Sequence, residues 1–144
     1  MEELETIFRG LADATRLRII NLLLCGELCG CDIQGVLGVS QPNISRHLVY
    51  LKHAGLVIDR REGFRVFCRL APANDEPMRG LLQFLATAFP RTERFRSDLR
   101  RLKRTITTVA PSACLTNGMS VTGRGRRGRG GDTQGLEKGG SALR

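Results

Sequence analysis

Apolar positions along the first two-thirds of the chain recur with a helical period, then switch to a period of two. Leu4, Ile7, Phe8 and Leu11 stand at i, i+3, i+4 and i+7, which predicts a short amphipathic helix with one face for burial. Asp13 follows as a helix cap. A second helix is expected over about Ala14–Leu24, with Leu17, Ile20, Leu23 and Leu24 inward and Arg16 and Arg18 free for solvent or phosphate. Gly26 ends it, and residues 27–31, ELCGC, read as a connection. Cys31–Leu37 makes a short helix, and Gly38-Val39 the joint before another. In that next helix Ser40 can cap through its hydroxyl, and Pro42 is tolerated in the first turn. Ile44, Leu48 and Leu51 form its apolar stripe, and Gly55 closes it.

Beyond Gly55, Leu56–Arg60 and Phe64–Leu70 are rich in Val, Ile and Phe and flank Arg61-Glu62-Gly63. That pattern predicts a β-hairpin, with Phe64, Val66, Cys68 and Leu70 on one face. A helix-turn-helix followed at once by a hairpin reads as a winged helix-turn-helix, mainly α with a β-hairpin wing. After Pro72 a final helical region is expected from about Asp75 to Thr105. It carries Met78, Leu81, Leu82, Leu85 and Phe89, a break at Pro90, then Phe95, Leu99, Leu102 and Ile106. Such a stripe needs a cover. The simplest is the same helix of a second copy, packed with the first helix, giving a two-fold homodimer whose recognition helices meet successive major grooves.

The charge gives this architecture a target. The formal net charge is +9, which favours polyanions. Gln41, Asn43, Ser45, Arg46 and His47 lie off the apolar stripe near a helix N-terminus, where amide, hydroxyl and guanidinium groups can meet base edges and phosphates. Arg60, Arg61 and Arg65, near the hairpin tip, suit flanking phosphates. From about Pro111 the composition changes. Residues 111–144 hold nine of the 17 glycines, with six basic and two acidic side chains, so +4 of the +9. Two regions follow: residues 1–107, for DNA binding and dimerisation, and 108–144, a basic Gly/Arg-rich tail expected to lack packed structure. The start MEELE lacks the order of a signal peptide, and the apolar run Ile19–Cys25 is too short to span a bilayer. The expected location is therefore cytoplasmic, with no membrane partner and with its five cysteines reduced. No Ser/His/acid set, phosphate loop or HExxH motif is present, so an enzyme is not expected.

The segments LADATRLRIINLLL, ELCGCDI, SQPNISRHLVYLKHAGLV and REGFRVFCRL together resemble the ArsR/SmtB family of winged-helix repressors that respond to metals and metalloids. The resemblance runs from about Leu4 to Leu70. It implies a homodimer that sits on its own operator DNA and leaves when an inducer binds. ELCGCD is similar to the arsenic-responsive branch, in which two cysteines, here Cys29 and Cys31, hold trivalent arsenic or antimony as inducer; no cofactor is otherwise required. Relatives with that motif often carry a third cysteine three residues after the second, where this chain has Gln34. Cys25 and Cys114 remain open as third thiolates, whereas Cys68 alternates with Val66 and Leu70 and suits packing. Thiolates select soft centres. Zinc fits less well, because the two histidines, His47 and His53, both fall in the recognition helix. A thiol-redox switch at Cys29 and Cys31, or a cadmium- or lead-responsive repressor of the same fold, are the alternatives. An RNA-associated protein, suggested by the RG-rich tail, is a further one.

If Cys29 and Cys31 were both helical, their side chains would point about 200° apart. Chelation would then have to bend the chain at Gly30 and deform the start of the following helix. That helix braces the recognition helix, so closing the chelate is expected to misalign Ser40–His47 against DNA.

Overall fold

A computed structural model describes residues 2–106. Its elements are α1 (Glu2–Leu11), α2 (Ala14–Leu23), β1 (Leu28–Cys29), α3 (Gly30–Leu37), α4 (Gln41–His53), β2 (Val57–Glu62), β3 (Arg65–Leu70), α5 (Glu76–Ala88), a 3-10 turn at Phe89–Arg91 and α6 (Glu93–Ile106). The basic segment 108–144, including Cys114, lies outside the described residues.

The caps explain the boundaries. Asp13 accepts from the Arg16 amide at 2.9 Å and starts α2; Asp75 accepts from the Met78 amide at 2.8 Å and starts α5. Ser40 occupies the cap of α4, but its hydroxyl makes no capping bond, contrary to expectation. Gly38 (φ 65°) closes α3 with its amide on the Gln34 carbonyl, which forces the tight α3–α4 joint. α2 is buried on every side from Arg18 to Leu23, so it is the central element and not an amphipathic one. Ile19, Ile20 and Leu22 pack there with Ile33, Ile44, Leu51 and Leu56 in one core.

The sheet is three-stranded and antiparallel, in the order β1-β3-β2. The connection expected at 27–31 is therefore partly a strand. Leu28 pairs with Cys68 and Cys29 with Phe67, while Glu62 pairs with Arg65 across the hairpin turn. That turn is Gly63-Phe64. Phe64 is fully exposed at the tip, so it does not share the inner face with Val66, Cys68 and Leu70 as expected.

The C-terminal stripe is not one helix. It breaks around Pro90, and Phe89 stacks on Phe95 with ring centroids 4.6 Å apart. α6 then folds back on its own chain, against α2 and α3, with Leu102 buried. The α6 part of the stripe is thus covered within the chain, where the simplest expectation was cover by a second copy. Exposed apolar side chains lie on α1 (Leu4, Phe8) and α5 (Phe84), and also on α4 (Val49, Tyr50) and at the hairpin tip (Phe64).

Arg18 is the largest departure from the sequence reading. It is buried, not free, and its guanidinium donates to both carboxylate oxygens of Asp98 on α6, at 2.7 and 2.8 Å. Arg16 is also engaged, donating to the Gly10 and Arg9 carbonyls and lying 4.9 Å over the Tyr50 ring.

Candidate nucleic-acid interface and thiol site

On α4 the three stripe residues Ile44, Leu48 and Leu51 are buried, which turns the opposite face outward. Gln41, Asn43, Ser45 and Arg46 are exposed on it. His47 stands apart. Its ring is half-buried with Nδ1 3.6 Å from Asp13 Oδ1, and that nitrogen has no hydrogen-bond partner. Partial burial raises the Asp13 carboxyl, but the Arg16 amide and the His47 ring outweigh it and hold the group below its ordinary range. His47 is thus placed to fix α4 against the α1–α2 corner as well as to face outward.

α4 and the hairpin enclose a cleft of about 250 Å³, lined by Gln41, Ser45 and Lys52 on one side and Arg61 and Val66 on the other. Lys52 bridges it to Asp59 at 2.8 Å. Arg61 and Arg65 are exposed and take part in no ion pair among the described residues. Arg60, expected to be a phosphate grip, is otherwise occupied: Glu27 and Glu62 both hold it, and it lies 4.6 Å over the Phe67 ring.

The thiols meet where β1 runs into α3. Cys29 is the cap residue of α3 in extended backbone (φ −70°, ψ 145°), Gly30 is the first helical residue, and Cys31 is exposed on the first turn. Cys29 is therefore not helical, and the 200° separation does not arise. The sulfurs of Cys29 and Cys31 and a carboxylate oxygen of Asp32 all lie within 4.8 Å of one another. A hydrogen bond with Cys29, reinforced by burial and by the Asp32 charge, pushes the Cys31 thiol up, against the opposing pull of Arg65. Cys68 is buried in the core, and burial pushes its thiol up. Opposed residues of an antiparallel pair share a face and neighbours alternate. Cys68, opposite Leu28, therefore stands on the other face of the sheet from Cys29, opposite Phe67. Cys25 is half-buried and does not join the cluster. The pair is chemically a dithiol for a soft, thiophilic centre. Sequence reasoning missed Asp32, whose place in a helix's first turn looks like an ordinary dipole partner.

Residues 13–59 match the model of a family described as "Bacterial regulatory protein, arsR family". The homodimeric winged helix-turn-helix DNA-binding domain Mb0332 of Mycobacterium bovis, titled a possible ArsR-family transcriptional regulator, is 32% identical; the match covers 60% of this chain and 80% of that one with a TM-score of 0.53. The chain belongs to the ArsR family. Two other similar proteins are an HTH-type transcriptional regulator, MJ1325, of Methanocaldococcus jannaschii and the arsenical resistance operon repressor of Escherichia coli K12. The first is 46% identical over 63 residues, 43% of this chain and 71% of the relative. The second is 52% identical over 67 residues, 46% of this chain and 57% of the relative, so the match spans little more than half of that protein. This ArsR-family chain has the winged helix-turn-helix fold expected for it. None of its described helices is long and apolar enough to cross a membrane.

Proposed function

We propose that the chain is a dimeric, cytoplasmic transcriptional repressor that leaves its operator when trivalent arsenic or antimony binds Cys29 and Cys31. The observation that carries this reading is the dithiol already assembled at the β1–α3 junction, its donors within 4.8 Å. The similarity to an arsenical resistance operon repressor supports it. Gln41, Asn43, Ser45, Arg46 and His47 present α4 to a major groove, and Arg61 and Arg65 hold the flanking backbone. The exposed Leu4, Phe8 and Phe84 provide the apolar face for a second copy.

The coupling has two arms. Cys29 is hydrogen-bonded into the sheet beside Phe67, and Gly30 begins the helix that packs on α4. Drawing the two sulfurs from this spacing onto one atom shifts the end of β1 and the first turn of α3 together. The wing and the recognition helix are then displaced relative to each other. A coupling of about 1–3 kcal/mol weakens operator binding roughly 5- to 150-fold. A second reading, oxidation of the pair to a disulfide, draws on the same sulfur–sulfur contact.

The test is a mobility shift of the reduced protein on DNA upstream of its own gene, with arsenite, antimonite, cadmium, zinc or peroxide added separately. Release by arsenite and antimonite is the expected result. Release by peroxide alone supports the redox reading, and retention under arsenite overturns the proposal. In the same assay Arg46→Ala is expected to weaken specific binding by about 1–3 kcal/mol without lowering thermal stability, since Arg46 is exposed. Unchanged binding would remove this part of α4 from the interface.

A further inference from the structure

We infer that Arg60 is the strut through which closure of the thiol pair moves the wing, a positioning residue and not a phosphate contact. The inference rests on the reading that the inducer binds Cys29 and Cys31, and it names how that site is coupled to DNA. The sheet register places Cys29, Phe67 and Arg60 in one row across β1, β3 and β2. Directly opposed residues share a face. The Arg60 guanidinium lies 4.6 Å over the Phe67 ring and reaches Glu27, which immediately precedes β1. Its Nε donates to Glu27 Oε1 at 2.8 Å, and Nη2 stands 2.6 Å from the same oxygen. One cation thus spans the three strands, from β2 to the residue that leads into the thiol pair.

Its partners rule out the role the wing position suggests. Nη1 donates to Glu62 at 2.6 Å, so two carboxylates answer a single charge. The Arg60 hydrogen bond also holds the Glu27 carboxyl below its ordinary range, which keeps the pair ionised at neutral pH. A phosphate would have to displace both acids. Arg61 and Arg65, at the same end of the hairpin, have no such partners among the described residues and are left for the DNA backbone.

The preceding residue completes the relay. Neighbours on a strand face opposite ways. Asp59, next to Arg60 on β2, holds Lys52 of the recognition helix at 2.8 Å. β2 is therefore tied on one face to the thiol segment and on the other to α4. Exposed ion pairs are individually weak. Here two carboxylates and a ring fix one planar group, and β1 offers only two residues of backbone pairing to share the task. When the sulfurs are drawn together and the end of β1 shifts, Glu27 shifts with it, and Arg60 carries that movement to β2.

The experiment measures the affinity of the reduced full-length protein for labelled DNA upstream of its own gene, at several salt concentrations, with and without saturating arsenite. Arg60→Ala, Glu27→Gln, the double variant and Cys31→Ser are compared with the parent, and arsenite affinity without DNA is measured by isothermal titration. Arg60→Ala and Glu27→Gln are expected to keep the parent's arsenite affinity and arsenite-free DNA affinity within about 2-fold. The weakening of DNA binding by arsenite should be about 5-fold smaller in each. The double variant should lose no more than either single one, because both remove the same contact. If Arg60→Ala weakens arsenite-free binding and lowers the salt slope by about one, Arg60 is a phosphate contact and the inference is overturned. Full release of both single variants, or losses that add in the double variant, also overturns it. If arsenite releases Cys31→Ser as it does the parent, the underlying site reading fails instead.

Discussion

Asp98→Ala is expected to destabilise the fold by about 3–5 kcal/mol, a large share of the roughly 5–15 kcal/mol that holds a domain of this size together. Asp98 is 1% exposed and Arg18 6%. Their two-bond contact is the only charge partnership either has in the described structure, and it raises the Arg18 guanidinium above its ordinary value. Deleting the carboxylate strands a buried cation between α2 and α6 with both of its bonds to Asp98 lost. Asn21 donates its side-chain amide to the Phe95 carbonyl at 3.1 Å along the same seam, so the loss falls on a contact that also positions the first turns of α6. The measurement is the urea midpoint followed by circular dichroism. Arg18→Met with Asp98→Leu should recover most of the loss, because the desolvation penalty of a buried pair largely offsets its attraction. A single mutant within about 1 kcal/mol of the parent would mean that water reaches the pair.

Neither residue could be recognised as structural from the sequence. Arg18 falls among leucines and isoleucines with no partner within 70 residues, and a pattern of local spacing carries no information about a contact across 80. α4 was legible for the opposite reason. Its stripe of Ile44, Leu48 and Leu51, its Pro42 and its closing Gly55 are all local signals, and each is where expected. β1 was not legible because two residues are too few to show alternation; only the pairing with β3 makes Leu28 and Cys29 a strand. That omission mattered for the site. The opposed sulfurs expected if both cysteines were helical do not arise, because Cys29 is in extended backbone as the cap of α3. Phe64 shows the limit of alternation itself: β3 begins one residue later than expected, at Arg65, so Phe64 falls in the turn and escapes the alternation that Val66, Cys68 and Leu70 keep. The stripe on α6 was correctly read as needing burial, but sequence does not distinguish cover by the chain's own α2 and α3 from cover by a second copy.

Cys31→Ser is expected to leave the DNA complex intact and make it insensitive to arsenite, raising the concentration for half-release about 100-fold or more. The magnitude follows from losing one of two sulfur bonds to a thiophilic centre, since a serine hydroxyl is a hard donor that stays protonated at neutral pH. Cys31 is exposed, so the substitution should change stability by less than about 0.5 kcal/mol. Cys29→Ser is expected to abolish the response equally but with a stability loss of about 1–3 kcal/mol, because Cys29 is 6% exposed and the more polar hydroxyl is buried there in place of the thiol. Cys29→Ala avoids that burden and should reproduce the insensitivity. The two positions thus separate recognition of the inducer from integrity of the β1–α3 junction. The readout is fluorescence anisotropy of labelled operator DNA titrated with arsenite, beside a thermal melt of each variant. Normal release from the stable Cys31→Ser protein would place the inducer away from this junction, and the coupling through β1 and α3 would fall with it.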